Sequence, residues 1–158
     1  RIKKVQREQV PMSDKNANKP DLLWQGFLGL WVLDPESCQY EQGDPPRAGS
    51  YRIEETPDGR LAFHMEWVDA SGEEHKASFT GTPNGEPEPF AGGDLADSLS
   101  VTPVSARELN SAAFYKGQER MIASRQLDDT GGAMRLIQAV RLPDGTKPTN
   151  ISIYVRAQ

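Results

Sequence analysis

The sequence contains one cysteine, two histidines and no long apolar run. With Cys38 as the sole thiol, no disulfide can form within the chain. Nothing then calls for an oxidising compartment, and the cytoplasm is the expected location. His64, His75 and one cysteine cannot build a closed zinc site. No metal and no cofactor is expected. No segment approaches the roughly 18 apolar residues of a spanning helix, so no membrane span is expected. Phosphate loops, nucleophile elbows, metalloprotease pairs and dinucleotide fingerprints are also missing. Asp128-Asp129 precedes Gly131-Gly132, but the spacing is not that of a calcium loop.

What is present is turn chemistry. The 158 residues include 14 Gly and 12 Pro, too many for a helical bundle, and are 36% hydrophobic, enough for one core. The net charge of −5 is unevenly spread. Residues 1–20 hold Arg1, Lys3, Lys4, Arg7, Lys15 and Lys19 against Glu8 and Asp14, a balance of +4, which leaves −9 on the remainder. So acidic a body repels phosphate backbones, and no nucleic-acid partner is expected. Residues 1–20 lack periodicity and read as a disordered arm, with residues 21–158 as a single domain. Met12-Ser13-Asp14 has the look of a native start, which makes residues 1–11 a processed or appended segment. Their basic beginning is not followed by the apolar stretch of a secretory signal. The oligomeric state is left open.

From Phe27 onward, turn signals recur every 10 to 15 residues: Pro57-Asp58-Gly59, Ser71-Gly72, Asn84-Gly85, Lys116-Gly117, Gly131-Gly132 and Asp144-Gly145. Period-2 runs lie between them, near 27–34, 49–56, 60–68, 73–81, 85–90, 97–103, 107–115, 118–127, 133–142 and 150–157. This rhythm predicts an all-β, antiparallel up-and-down barrel of about ten strands. Two short helical turns are also expected. One is at Asp21-Leu22-Leu23-Trp24-Gln25, with Asp21 as cap and Leu and Trp covering an end of the fold. The other is at Pro35-Glu36-Ser37-Cys38-Gln39-Tyr40, with a loop as the alternative.

The hairpin at Thr56-Pro57-Asp58-Gly59 fixes a register. It sets Tyr51 and Ile53 on one face with Leu61, Phe63, Met65 and Trp67, and Arg52 and Glu54 on the other with Ala62, His64 and Glu66. Alternation then places His75, Ala77 and Phe79 inside. Two more interior stripes follow: Met121, Ala123, Arg125 and Leu127, then Met134, Leu136, Gln138 and Val140. On the last strand either Ile151, Ile153 and Val155 or Ser152, Tyr154 and Arg156 can face in. A guanidinium in an apolar stripe requires compensation, so Arg125 needs an anion from the protein or from a ligand.

Gly29-Leu30-Trp31 at the start of the barrel and Arg156 at its end resemble the signature of the calycin superfamily, over about residues 24–157. The resemblance implies that Trp31 plugs the closed end while Arg156 crosses over it. Ten strands suit the fatty-acid-binding subgroup, although residues 35–48 are too few for its two helices. Members of that subgroup hold a carboxylate head group with interior Arg and Tyr from late strands, which here are Arg125 and Tyr154. Where the last strand of the subgroup reads Arg-x-Tyr, this chain has Ser152-Ile153-Tyr154.

The reading is therefore a barrel that binds one small apolar or amphipathic molecule, carboxylate-bearing in one version. Arg125, Tyr154, Gln138, Tyr51, Phe63, Met65, Trp67, Phe79 and Met134 are its candidate contacts. One alternative is an enzyme on the same barrel, an isomerase, cyclase or dehydratase with His75 or Tyr154 as acid/base. Another is a filled barrel serving as an interaction module. A cavity of ~300 Å³ or more facing Arg125 would mark a ligand site.

Overall fold

A computed structural model describes residues 23–91 and 95–157. The arm expected over residues 1–20 and the capping role of Asp21 fall outside the described residues. Ten antiparallel strands form one sheet: β1 (Gly29–Tyr40), β2 (Ala48–Glu55), β3 (Leu61–Val68), β4 (Glu74–Gly81), β5 (Glu88–Pro89), β6 (Ser98–Ser105), β7 (Glu108–Tyr115), β8 (Gln118–Leu127), β9 (Ala133–Val140) and β10 (Thr149–Arg156). The order is β4-β3-β2-β1-β10-β9-β8-β7-β6-β5, so β1 joins the first half to the second. This is a nearly closed up-and-down barrel.

The turn glycines account for the rhythm. Gly59, Gly72, Gly85, Gly117, Gly131 and Gly145 all take positive φ, the left-handed region that tight hairpins require. The inferred register holds throughout: Ile53 pairs with Phe63, Tyr51 with Met65, Phe63 with Phe79 and Trp67 with His75. On β10 the inward set is Ser152, Tyr154 and Arg156, with Val155 45% exposed. Met121 keeps the interior parity of its stripe but stands at the open rim, opposite Val140, and is 41% exposed.

One expectation needs correction. Residues 35–40 are neither a helical turn nor a loop, because β1 continues to Tyr40. Between Asp34 and Gln39 the strand bulges against β10. The Ser37 hydroxyl accepts the Ile153 N–H at 2.8 Å and donates to the Asp34 carbonyl at 2.6 Å. Proline is tolerated there because pairing with β2 has already ended at Val32, so no ladder on that side needs its N–H. Among the described residues the chain enters the barrel through a 3-10 turn at Gln25–Phe27, with Trp24 at the position before it.

That turn plugs one end. Trp24 and Phe27 are buried with Trp31, Leu61, Leu109 and Met134. The Trp31 indole N–H donates to the Phe27 carbonyl at 2.9 Å. Arg156 lies over the Trp31 ring with its guanidinium carbon 4.2 Å from the ring centroid, and donates to the carbonyls of Leu28 (2.8 Å) and Gly26 (2.6 Å). Gly29 is required here. Its φ is +120°, and a Cβ would sit 3.0 Å from Arg156 Nη1.

The seam between β4 and β5 is closed by side chains. Glu88 accepts the Thr82 backbone N–H at 2.7 Å and pairs with Arg60, while a Cβ on Gly81 would fall 2.5 Å from Val101 Cγ2. Covering an exposed strand edge in this way keeps it from pairing with another chain.

Candidate functional site

With one end plugged, the barrel opens at the other, where β1 ends at Tyr40 and β3 at Val68. A cavity of about 240 Å³ enters there. Met65, Trp67 and Ala77 form one wall, Leu136, Gln138 and Tyr154 the other, Tyr51 lies deepest, and Tyr40, Asp44, Pro46 and Asp69 stand at the rim. Five sequence-derived contacts thus meet in one place: Tyr51, Met65, Trp67, Gln138 and Tyr154.

Three others lie deeper. Phe63 and Met134 are fully buried, and Phe63 stacks on Phe79 with ring centroids 4.5 Å apart. They fill the barrel between the cavity and the plug. The interior is therefore packed in its lower half and hollow in its upper half.

Arg125 sits at the boundary between the two halves. It is 1% exposed and is not part of the cavity wall. The cavity is also smaller than the volume set out above. No carboxylate pairs with Arg125 among the described residues. Its partners are neutral: Nε and Nη2 donate to the Tyr51 hydroxyl at 3.0 and 2.8 Å, Nη2 to Ser111 Oγ at 3.0 Å, and Nη1 to the Leu109 carbonyl at 3.4 Å. Aromatic faces supply the rest. The guanidinium carbon is 4.7 Å from the Phe63 centroid and 5.6 Å from that of Tyr51. Such contacts soften the desolvation of a cation without cancelling its charge.

The polar groups of the cavity are ready to donate. Burial holds the Tyr154 hydroxyl well above the usual tyrosine range, with Tyr51, Tyr40 and Cys38 adding to the shift. The Tyr40 hydroxyl is raised by burial and by Cys38, against a hydrogen bond from Ser152. Burial and then Asp34 push the Cys38 thiol up, which keeps it protonated and unreactive at neutral pH. The rings of Tyr154 and Tyr51 meet at right angles with centroids 5.6 Å apart.

His75 does not join this wall. It stacks on Trp67 (5.2 Å between centroids), and its Nε2 lies 2.8 Å from Asp69 Oδ2. The sequence did not reveal Asp69 as its partner. The signal was present in Asp69-Ala70-Ser71-Gly72, a turn whose first residue caps its own backbone: Asp69 Oδ1 accepts the N–H groups of Ser71 (2.9 Å) and Glu73 (3.0 Å). Asp69, Glu73 and His75 cluster closely enough to hold a cation. The bonds within the cluster already account for the turn.

A barrel with a tryptophan plug under a crossing arginine, an open mouth and antiparallel next-neighbour strands is a calycin-like fold. Solved structures agree. The chain matches wild-type fluorescent protein UnaG with TM-score 0.56 and 15% identity, over 85% of this chain and 99% of that one. It matches EF1p2_mFAP2b bound to DFHBI with TM-score 0.52 and 9% identity, over 88% and 100%. No protein-family model and no curated sequence matches the chain. Among the described residues no helix is long and apolar enough to cross a membrane.

Proposed function

We propose that this barrel binds one small amphipathic molecule in its upper cavity. The observation that carries the reading is the half-hollow interior. Met65, Trp67, Ala77 and Leu136 supply apolar walls, while Gln138 and Tyr154 present polar groups with no hydrogen-bond partner among the described residues. Apolar walls with a few convergent polar groups describe a ligand pocket better than a core. The apolar body of the guest lies between Trp67 and Leu136, and its polar head points inward, toward the Tyr51–Arg125 end. At about 30 Å³ per water the space equals roughly eight waters, which suits a short-chain or single-ring molecule better than a long acyl chain. A barrel of similar fold, EF1p2_mFAP2b, has been solved with DFHBI bound. Carriage in the cytoplasm is part of this proposal. The enzyme alternative draws less support, because His75 is turned to Trp67 and Asp69 and only Tyr154 of its two residues lines the cavity.

The test is a titration with short-chain and aryl acids, alcohols and amides, read by tryptophan fluorescence. Trp67 lines the cavity, whereas Trp24 and Trp31 are buried at the plug. Saturable change that disappears in Ala77→Phe, which fills the space, supports the proposal. A flat titration with every class of compound refutes it.

A further inference from the structure

Resting on that reading, we infer that the guest is an organic cation whose outer end carries an ammonium, held at the mouth by Asp44 and Asp69 against the rings of Trp67 and Tyr40. Charge is distributed unevenly along the cavity. Asp44 and Asp69 stand at the rim, and no lysine, arginine or histidine lines the wall. Glu66 adjoins the rim from the outer face of β3, where it pairs with Lys76. Arg47 donates its backbone N–H to Val68 beside the same mouth but is not part of the wall. At the deep end the buried Arg125 lies behind Tyr51. The field along the cavity therefore runs from positive at the bottom to negative at the mouth. A cationic group is repelled from the bottom and attracted to the rim. The balance of −9 on residues 21–158 draws cations toward the barrel as a whole.

The mouth also offers what an ammonium binds when it leaves water. Tyr40, Tyr51, Trp67 and Tyr154 all line the cavity. Aromatic faces attract cations, indole most strongly. His75 stacks on Trp67 with ring planes 17° apart, and it is not part of the wall. The indole surface left free is the one that lines the cavity. Asp69 is fixed beside it. Its Oδ2 lies 2.8 Å from His75 Nε2, and its Oδ1 accepts the Ser71 hydroxyl at 2.6 Å. Those bonds, from Ser71 first, hold its carboxyl well below the usual carboxylate range, so it stays ionised. Asp44, in the loop between β1 and β2, has no hydrogen-bond or ion-pair partner among the described residues. At a cavity mouth such a carboxylate is the counter-charge for whatever enters. An ammonium there gains the ring faces and the carboxylates together. A neutral isostere gains neither, and an anionic one is repelled.

Three probes built on one phenol ring test this by calorimetry at pH 7 and low ionic strength. Tyramine, 4-ethylphenol and 3-(4-hydroxyphenyl)propionate end in an ammonium, a methyl group and a carboxylate. The wild-type protein is expected to bind tyramine at least tenfold more tightly than 4-ethylphenol, with the acid weakest. Asp44→Asn should weaken tyramine at least threefold and change 4-ethylphenol by no more than twofold. Ala77→Phe, which fills the cavity, should abolish binding of tyramine. Equal or tighter binding of 4-ethylphenol or the acid by the wild type overturns the inference and leaves the cavity reading in place. Retention of the full tyramine preference in Asp44→Asn also overturns it, as does tyramine binding that survives Ala77→Phe. Binding of none of the three overturns it as well, while the cavity reading is judged by its own titration with acids, alcohols and amides. If Asp44→Asn does not fold, salt decides the matter. About 0.5 M NaCl should narrow the wild-type ratio of tyramine to 4-ethylphenol at least threefold, and an unchanged ratio refutes the inference.

Discussion

Replacing Arg156 with Met tests whether the plug is held as the geometry indicates. The substitution keeps the apolar stem that lies along the barrel end. It removes two short charged hydrogen bonds, to Leu28 O at 2.8 Å and Gly26 O at 2.6 Å, and the stack on Trp31 at 4.2 Å. A hydrogen bond to a charged group contributes about 1.5 kcal/mol at the low end of its range, and a cation over an indole about 1 kcal/mol. The Gly26 bond is exposed to water, so it counts for less. The expected loss is about 3 kcal/mol, or roughly 6–12 °C in Tm for a domain of this size. Urea denaturation should show a lower midpoint with an unchanged slope, because the surface exposed on unfolding stays the same. Arg156→Lys should recover little of the loss, since one ammonium cannot serve two carbonyls and lie flat on the ring. Binding in the cavity, at the opposite end, should change by less than twofold. A loss under 1 kcal/mol, or full rescue by lysine, would refute the account of the plug.

Gly81→Ala should destabilise by about 1–3 kcal/mol, the usual range for overpacking. Its Cβ would press on Val101 Cγ2 at 2.5 Å, and Val101→Ala in the same chain should return part of the loss in a double-mutant cycle. Hydrogen bonds hold the carboxyls of Asp69, Asp128 and Asp144 below the usual range, from Ser71, Thr130 and Thr146 first. A group depressed in the folded state stabilises above its unfolded value and loses that contribution as pH falls through the folded one. Stability should therefore be level from neutral pH to about 5 and decline below about 4. Urea midpoints against pH check this, and an Asp69→Asn, Asp128→Asn, Asp144→Asn variant should show a shallower acid decline. Cys38 should react slowly with a disulfide reagent at pH 7 in the native state and rapidly in urea, because burial raises its thiol.

The hairpins were legible because each turn carries a glycine in a conformation that other residues resist, and register follows from the turn. Gly59 fixed Tyr51 opposite Met65, and the same alternation carried correctly to Phe79 on the next strand. The segment after Asp34 was not legible, since Pro35 argues against a strand wherever both neighbours are paired. Here β2 has already left β1, a fact about the barrel and not about the local sequence. The interior stripes likewise told which residues face in but not how deep each sits. Phe63 and Met65 share a face two residues apart, yet Phe63 is core and Met65 is cavity wall. Depth depends on where the plug stops, and the plug comes from Trp24 and Phe27, far along the chain.

Arg125 shows the same limit at the level of chemistry. Its place in an apolar stripe marks a buried cation, and a buried cation requires a partner. Sequence alone suggested a carboxylate, because charge balance is the simplest compensation. The partner is Tyr51, 74 residues away and across the barrel, together with the faces of Phe63 and Phe79. Closing the sheet brings β2 opposite β8, and the order of ten strands is needed before that pair can be named.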